Sequence, residues 1–303
     1  MALSTLFPHY KKSNDHYVPQ HWQRRFRDAR NRLWVREGPK IEERGTSSTM
    51  TERDTYTSFN ERFEPSDAIE DALSVEEGRQ SRFIEKIIVP GCLPTEGDLI
   101  HICNVLALQA VRHPDVMARS RQLILDSAET AALAHEMSRS EFTDRFKCRL
   151  ASEDFLGQIY DAWLQEPQSN LMAQVSDIEA MSPQDARLPD VYALTAWTEV
   201  FLDFITYQIE ILDAPFGYSY VLGDTPMPQW GARGGFTVPL SLSVAIVAHC
   251  DPDKDATITR KTAAPFEVWA INQEQWRRHK SVVVGDKNVL ADLQTEEVMP
   301  KGY

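Results

Sequence analysis

The order of apolar and polar positions divides the chain into three zones. In the first, His16-Tyr-Val-Pro19 is expected to be extended, because Pro19 disfavours the helical region at Val18. Gln20 to Ala29 then fits a short helix with Trp22 and Phe26 at i, i+4. Arg32 to Arg36 alternates polar and apolar, Gly38-Pro39 supplies a turn, and Lys40 to Glu43 returns, which predicts a small β-hairpin. Gly45 to Pro65 is rich in Ser, Thr, Glu and Arg and reads as a surface loop anchored by Tyr56 and Phe59.

From Ser66 the period becomes helical. Ser66 is a candidate cap with Asp67 and Glu70 in the first turn. Helices are expected near 67–89, 95–112, 114–137, 139–148, 152–165, 170–180 and 189–204, punctuated by Pro90, Pro114, Pro167, Pro183 and Pro189. After Phe204 the pattern returns to strands. Tyr207–Leu212 and Tyr218–Leu222 flank the turn Pro215-Phe-Gly217 and predict a second hairpin. Phe236–Leu240 and Ser243–His249 are further strands, Asp251–Arg260 reads as a polar loop, and Phe266–Trp269 as the end of a strand. Asn272–Lys280 reads as a helix capped by Asn272, and the tail from Asp286 is weakly specified. The expected fold class is therefore α+β and mainly helical, with a small N-terminal β-hairpin and a C-terminal antiparallel sheet. A single domain over 1–303 is expected, made of a basic arm and hairpin (1–65), a helical region (66–205) and a β-rich region (206–303).

Composition narrows the class. With 42% hydrophobic and 25% charged residues in 303, the chain has the make-up of a folded protein rather than a disordered one. The longest apolar run, Ile100–Val111, is interrupted by His101, Asn104 and Gln109 and falls short of the roughly 18–20 residues of a membrane span. The four cysteines form no CxxC pair, and the first ten residues lack the basic start and apolar core of a secretory signal; reduced thiols and a cytoplasmic location are expected. Charge is uneven. Residues 1–50 hold ten Lys/Arg against five Asp/Glu, or +5, so of the net −13 the remainder carries −18. An acidic body argues against a protein that coats nucleic acid, while the basic N-terminal arm leaves room for a local contact with nucleic acid or a nucleotide.

Several landmarks then fall in a fixed order. His16-Tyr17-Val18-Pro19-Gln20 is followed by Arg24-Arg25-Phe26 and by Arg32-Leu33-Trp34-Val35. Ile69-Glu70 and Glu76-Glu77 supply an acidic helix, and Gln109-Ala-Val-Arg112-His-Pro114 ends the next. Gly223-Asp224-Thr225-Pro226, Pro239-Leu240 and Asn272 come later. In this order the chain resembles the domain-of-unknown-function 4238 family over roughly residues 16 to 285. It departs from that family's Ser-Asp-Asn-Pro turn at Gly223 and Thr225. The resemblance implies no activity.

Candidate chemistry centres on the acidic helix. At about 100° per residue, Glu70 and Glu77 fall about 20° apart and within the arc of Leu73, Ile84 and Ile88. A carboxylate in an apolar arc is costly unless paired, protonated or bound to a cation. Arg112, at the end of an apolar helix with Gln109 one turn earlier, is a fork for a phosphate or a partner for those carboxylates. His16, held beside a rigid Tyr-Val-Pro, is a candidate general base or ligand. His16 and His21 are five apart, which is not a helical ligand spacing. Asp224 follows a strand, where carboxylates either organise turns or bind metals. Walker, GxGxxG, GxSxG and HExxH motifs are absent.

The expected function is metal-assisted hydrolysis of phosphodiester or nucleotide substrates, of the nuclease-effector kind. Glu70, Glu77 and Asp224 would hold a divalent cation (Mg or Mn), with His16, Arg112 and Gln109 as catalytic residues. The competing reading is a non-catalytic binding or sensor module whose buried polar cluster is structural. A helical ribonuclease relying on Arg and His ranks behind both, because no Arg-x₄₋₆-His spacing suits it.

Overall fold

Pro19 sets the first event of the fold in the computed structural model: Val18 before it is fully buried, and a short helix, α1 (Gln20–Gln23), starts behind it. The structure describes residues 14–53, 55–59, 64–117, 134–146, 153–165, 167–169, 194, 196–228, 235–251 and 253–298. Strand β1 (Asn14–His16) precedes α1, and a 3₁₀ turn over Arg24–Phe26 follows it. The predicted hairpin forms as β2 (Leu33–Glu37) and β3 (Lys40–Arg44), in antiparallel register with Val35 opposite Glu42. The stretch after it is not a surface loop. β4 (Thr51–Arg53) pairs with β1, β5 (Ser58–Phe59) with β6 (Pro65–Ser66), and Tyr56 is fully buried.

The helical zone follows the prediction where it is described. α2 (Ala68–Ile87) buries Leu73, Gln80, Ile84 and Ile87, a stripe of period close to 3.6. α3 (Glu96–Val111) opens on a capping box between Thr95 and Asp98, and Asp98 also takes Lys86 Nζ at 2.7 Å, which ties the two helices together. α4 (Arg139–Phe146), α5 (Glu153–Trp163) and α6 (Trp197–Phe204) follow, with α6 against α3. The helix expected at 170–180 and most of that expected at 114–137 lie outside the described residues, while the second half of that expected at 189–204 is α6.

The C-terminal zone departs from expectation at four points. First, β7 (Gln208–Asp213) and β8 (Leu222–Gly223) do not form a hairpin. β7 lies between β10 (Val244–His249) and β11 (Thr257–Thr262), while β8 joins the other sheet beside β12 (Val282–Gly285). Alternation revealed β7 but not its partners, both of its edges being filled by later strands. Second, that sheet, ordered β11-β7-β10-β9 with β9 at Phe236–Pro239, is mixed rather than antiparallel, because β11 runs parallel to β7. Third, β11 replaces much of the expected loop. Its β-branched residues support a strand, and Arg260 is held by Asp213 at 2.8 Å and by the Ile87 carbonyl at 2.7 Å. Fourth, Phe266–Trp269 is helical. α7 (Pro265–Arg278) starts with Pro265 in its first turn and Glu267 closing back on the Ala264 amide at 2.7 Å. Asn272 is thus mid-helix, not a cap. Its Oδ1 accepts from Val221 N and its Nδ2 donates to the Ser219 carbonyl, each at 2.9 Å. The tail is ordered as α8 (Lys287–Val298).

The chain is α+β. The second sheet, β3-β2-β12-β8, brings the N-terminal hairpin against the last strand. The largest apolar core joins Trp22 and Phe26 with Ile84, Leu106, Ile211 and Ile271, so α1, α2, α3, the mixed sheet and α7 share it. Among the described residues no helix is long and apolar enough to cross a membrane.

Candidate functional site

The His-Tyr-Val-Pro segment is held rigidly from behind. Trp22 Nε1 donates to the Pro239 carbonyl at 3.0 Å, and Gln23 Nε2 donates to the carbonyls of Val18 at 2.7 Å and Thr49 at 2.9 Å. This fixes His16, Gln20, His21 and Arg24 on the flank that faces α2. From α2, Glu70, Ser74, Glu77, Gly78 and Ser81 lie within about 100° of one another. Between the two rows lies a polar cleft of about 370 Å³ lined by these nine residues.

Glu77 is anchored from the core side. Arg112 closes α3 and its side chain is 1% exposed. It donates from Nη1 to Glu77 Oε1 at 2.7 Å, from Nε to Tyr56 Oη at 3.2 Å and from Nη2 to the His16 carbonyl. Tyr56 Oη in turn donates to the Arg112 carbonyl at 2.9 Å. The other Glu77 oxygen faces His21 Nδ1 at 3.8 Å. Burial works against the ionised form of Glu77, but His21 and the guanidinium outweigh it and hold its pKa near about 2.

Glu70, two turns earlier on the same stripe, has the opposite environment. Burial is the main cause, and the buried carboxylate of Asp15 adds repulsion; together they push its pKa up to about 7. Its Oε2 is buried and meets no hydrogen-bond partner. The same holds for His21 Nε2. Burial also lowers the pKa of both His16 and His21, so both imidazoles are neutral near pH 7. His16 Nε2 lies 2.9 Å from the Thr46 carbonyl.

The structure therefore brings His16, Glu70 and Glu77 into one cleft and places Arg112 immediately behind it, turned inward. Gln109 is nearby but spent on structure, donating to the Tyr17 carbonyl at 2.9 Å. Asp224 is not part of the group. It follows β8, and its carboxylate accepts from the amides of Lys280 at 2.8 Å, Ser281 at 2.9 Å and Val282 at 3.0 Å and from Ser281 Oγ at 2.9 Å. It organises the turn into β12. Among the described residues no three His, Cys, Asp or Glu side chains come together as a metal-binding set. The expected three-carboxylate cation site of Glu70, Glu77 and Asp224 is thus not assembled, and no chemical step is derived through it.

Sequence reasoning passed over His21 and Arg24. His21 was weighed only as a zinc ligand with His16; the available signal was its place directly after a proline-started turn, on the side opposite the buried Trp22. Asp15, whose charge acts on Glu70, gave no signal of its own. The departure at Gly223 has a steric basis, since a Cβ there would lie 3.0 Å from the Gln275 carbonyl and 3.2 Å from His279 Cβ.

The profile of a family described as "Protein of unknown function (DUF4238)" matches residues 14–287, nearly all of the described structure. No curated protein and no solved structure matches the chain.

Proposed function

We propose, from the premise that this chain belongs to the DUF4238 family of proteins of unknown function, that its polar cleft is an acid–base site that hydrolyses phosphodiester or nucleotide substrates. One observation carries the reading: two glutamates on one stripe of α2 face the same cleft in environments that drive their pKa values apart, Glu70 up to about 7 and Glu77 down to about 2. Pairs of carboxylates whose environments drive their pKa values apart divide the roles of acid and base between them.

The roles follow from the charges around the cleft, with Glu77 3.8 Å from His21 Nδ1. Glu77 favours the His21 tautomer with a proton on Nδ1, which leaves a lone pair on Nε2. His21 Nε2 takes a proton from water, the water oxygen bonds to phosphorus, and the P–O ester bond breaks. Glu70 gives its proton to the departing oxygen. A phosphomonoester and an alcohol result, and the proton on His21 returns to Glu70 through solvent. His16 lines the same cleft, and its hydrogen bond to Thr46 makes it a positioning residue. Arg24, exposed at the mouth, bonds only Gln20 Oε1 at 3.0 Å and makes no ion pair with a described residue, so its guanidinium is available to a phosphate. The basic arm that contains it would guide a polyanion inward.

Release of nucleoside and nucleotide from a dinucleotide, whose leaving alkoxide needs a proton, tests the reading. Glu70→Gln and His21→Ala are each expected to lower kcat by at least about a hundredfold, the usual scale of acid–base catalysis. Arg24→Ala is expected to raise KM with kcat little changed. Turnover that survives Glu70→Gln and His21→Ala intact would exclude the cleft as its seat.

A second reading, a binding or sensor module without catalysis, draws on a different observation. Every hydrogen bond that the Arg112 side chain makes to a described residue is internal, as in a packing network. It predicts no turnover of any phosphodiester or nucleotide, with Arg24 still required for anion binding.

A further inference from the structure

We propose that the groove between α7, α8 and the turn at Gly217 binds a small organic cation with an apolar body. The groove encloses about 520 Å³ and is lined by Tyr218, Trp269, Val268, Val289, Leu293 and Asp292, among others. That volume falls in the roughly 300–1,000 Å³ range of small-molecule sites. None of its lining residues belongs to the acid–base cleft, so the proposal stands apart from the hydrolase reading.

The floor is built into the core. Val268 and Leu293 are buried, and Val289 packs on the cluster that holds Trp276 and Leu290. The rim is held in place. Tyr218 N donates to the Pro215 carbonyl at 3.0 Å, the Ser219 carbonyl accepts from Asn272 at 2.9 Å, and Tyr220 N donates to the Leu242 carbonyl at 2.9 Å. Gly217, at φ +86°, makes the turn that presents Tyr218. A preformed groove of this kind spends little binding energy on ordering.

The chemistry of the walls selects the ligand. Tyr218 and Trp269 leave half of their surface, 50% and 51%, open to solvent. Aromatic faces gain from covering and attract cations through the ring quadrupole. Asp292 is the one charged residue among the described lining residues; it is exposed and makes no ion pair with a described residue. Asn272 is held in place by the chain at both ends of its amide. Two aromatic side chains and a carboxylate over an aliphatic floor favour positive charge, and no described lining residue offers an anion a positively charged partner.

Isothermal titration calorimetry with benzyltrimethylammonium, and with neutral benzyl alcohol as its comparison, decides the matter. The cation is expected to bind at least about tenfold more tightly than the alcohol. Asp292→Asn, an exposed substitution that leaves the fold intact, is expected to weaken the cation about tenfold and the alcohol not at all. Trp269→Ala is expected to remove binding of both. Equal affinity for the two probes, indifference of the cation to Asp292→Asn, or no binding heat from either probe would overturn the proposal. So would sedimentation showing that a second copy of the chain covers this face and that Trp269→Ala releases it. Calorimetry reads binding without turnover, so loss of the hydrolase reading leaves this result interpretable.

Discussion

Arg112 and Glu77 stand 35 positions apart and meet at 2.7 Å, joining the end of α3 to the middle of α2. The pair is asymmetric, with Arg112 at 1% side-chain exposure and Glu77 at 23%. Removing the carboxylate therefore strands a buried guanidinium, whereas removing the guanidinium leaves a carboxylate that still reaches water. Breaking a buried pair on one side costs roughly 3–5 kcal/mol. Gln keeps one acceptor, so Glu77→Gln is expected to lose about 2–3 kcal/mol in urea unfolding. An unchanged midpoint would show that Arg112 relies on Tyr56 and the His16 carbonyl alone.

The two cleft glutamates give opposite pH signatures. Folded Glu70 keeps its proton to about 7, whereas the unfolded chain releases it near the ordinary 4.5. The folded state binds more protons in that window, so this group's contribution to stability falls as pH rises from 4.5 to 7. Glu77, near about 2 when folded, contributes stability that is complete above 4.5 and is lost as pH drops toward 2. The lowered pKa values of His16 and His21 oppose the Glu70 trend below 6.5, so the difference between two proteins is the clean measure. Glu70→Gln should gain stability relative to the native chain between pH 5 and pH 7.5. Parallel stability curves for the two would mean that Glu70 titrates normally.

Asp224 should prove structural. Its carboxylate receives three backbone amides and one hydroxyl from residues 280–282, just before β12. Asp224→Asn removes one of two acceptor oxygens from a site that is almost fully buried. The expected loss is about 1–3 kcal/mol, since an unsatisfied buried amide keeps its full desolvation cost. Turnover measured well below the unfolding midpoint should be unaffected. A drop in kcat with stability unchanged would return Asp224 to the chemistry.

What the sequence made legible was local. Pro19 and the period of Leu73, Ile84 and Ile88 act within a turn or two; α2 and α3 fall close to their expected bounds, and α1 starts where expected but ends at Gln23 rather than Ala29. The inward lean of Glu70 and Glu77 was legible for the same reason, being a property of one helix. What stayed hidden was partnership across distance. Gln208–Asp213 alternates in the same way whether it pairs with Tyr218–Leu222 or, as it does, with Val244–His249 and Thr257–Thr262. Asp224 at a strand end looks alike as a metal ligand or a turn organiser until the amides of 280–282 arrive. The role of His21 depended on Glu77, 56 positions later in the chain, and the groove at Tyr218 on two helices that the pattern had not joined.

The rate of phosphodiester hydrolysis should trace a bell in pH. The base, His21, works only when neutral, and burial holds its pKa below the ordinary 6.5, so the acid limb lies below that value. The acid, Glu70, works only while protonated, so kcat/KM should fall as pH rises beyond about 7. Glu77 supports protonation of His21 and its charge also raises Glu70, so Glu77→Gln should carry both limbs to lower pH. Glu70→Gln should lower the rate throughout and abolish the basic limb, because an amide has no proton to lose in this range. A rate that climbs steadily from pH 7 to pH 9 would mean that hydroxide or another base does the work. In that case neither Glu70 nor His21 holds the role assigned to it, whatever the cleft binds.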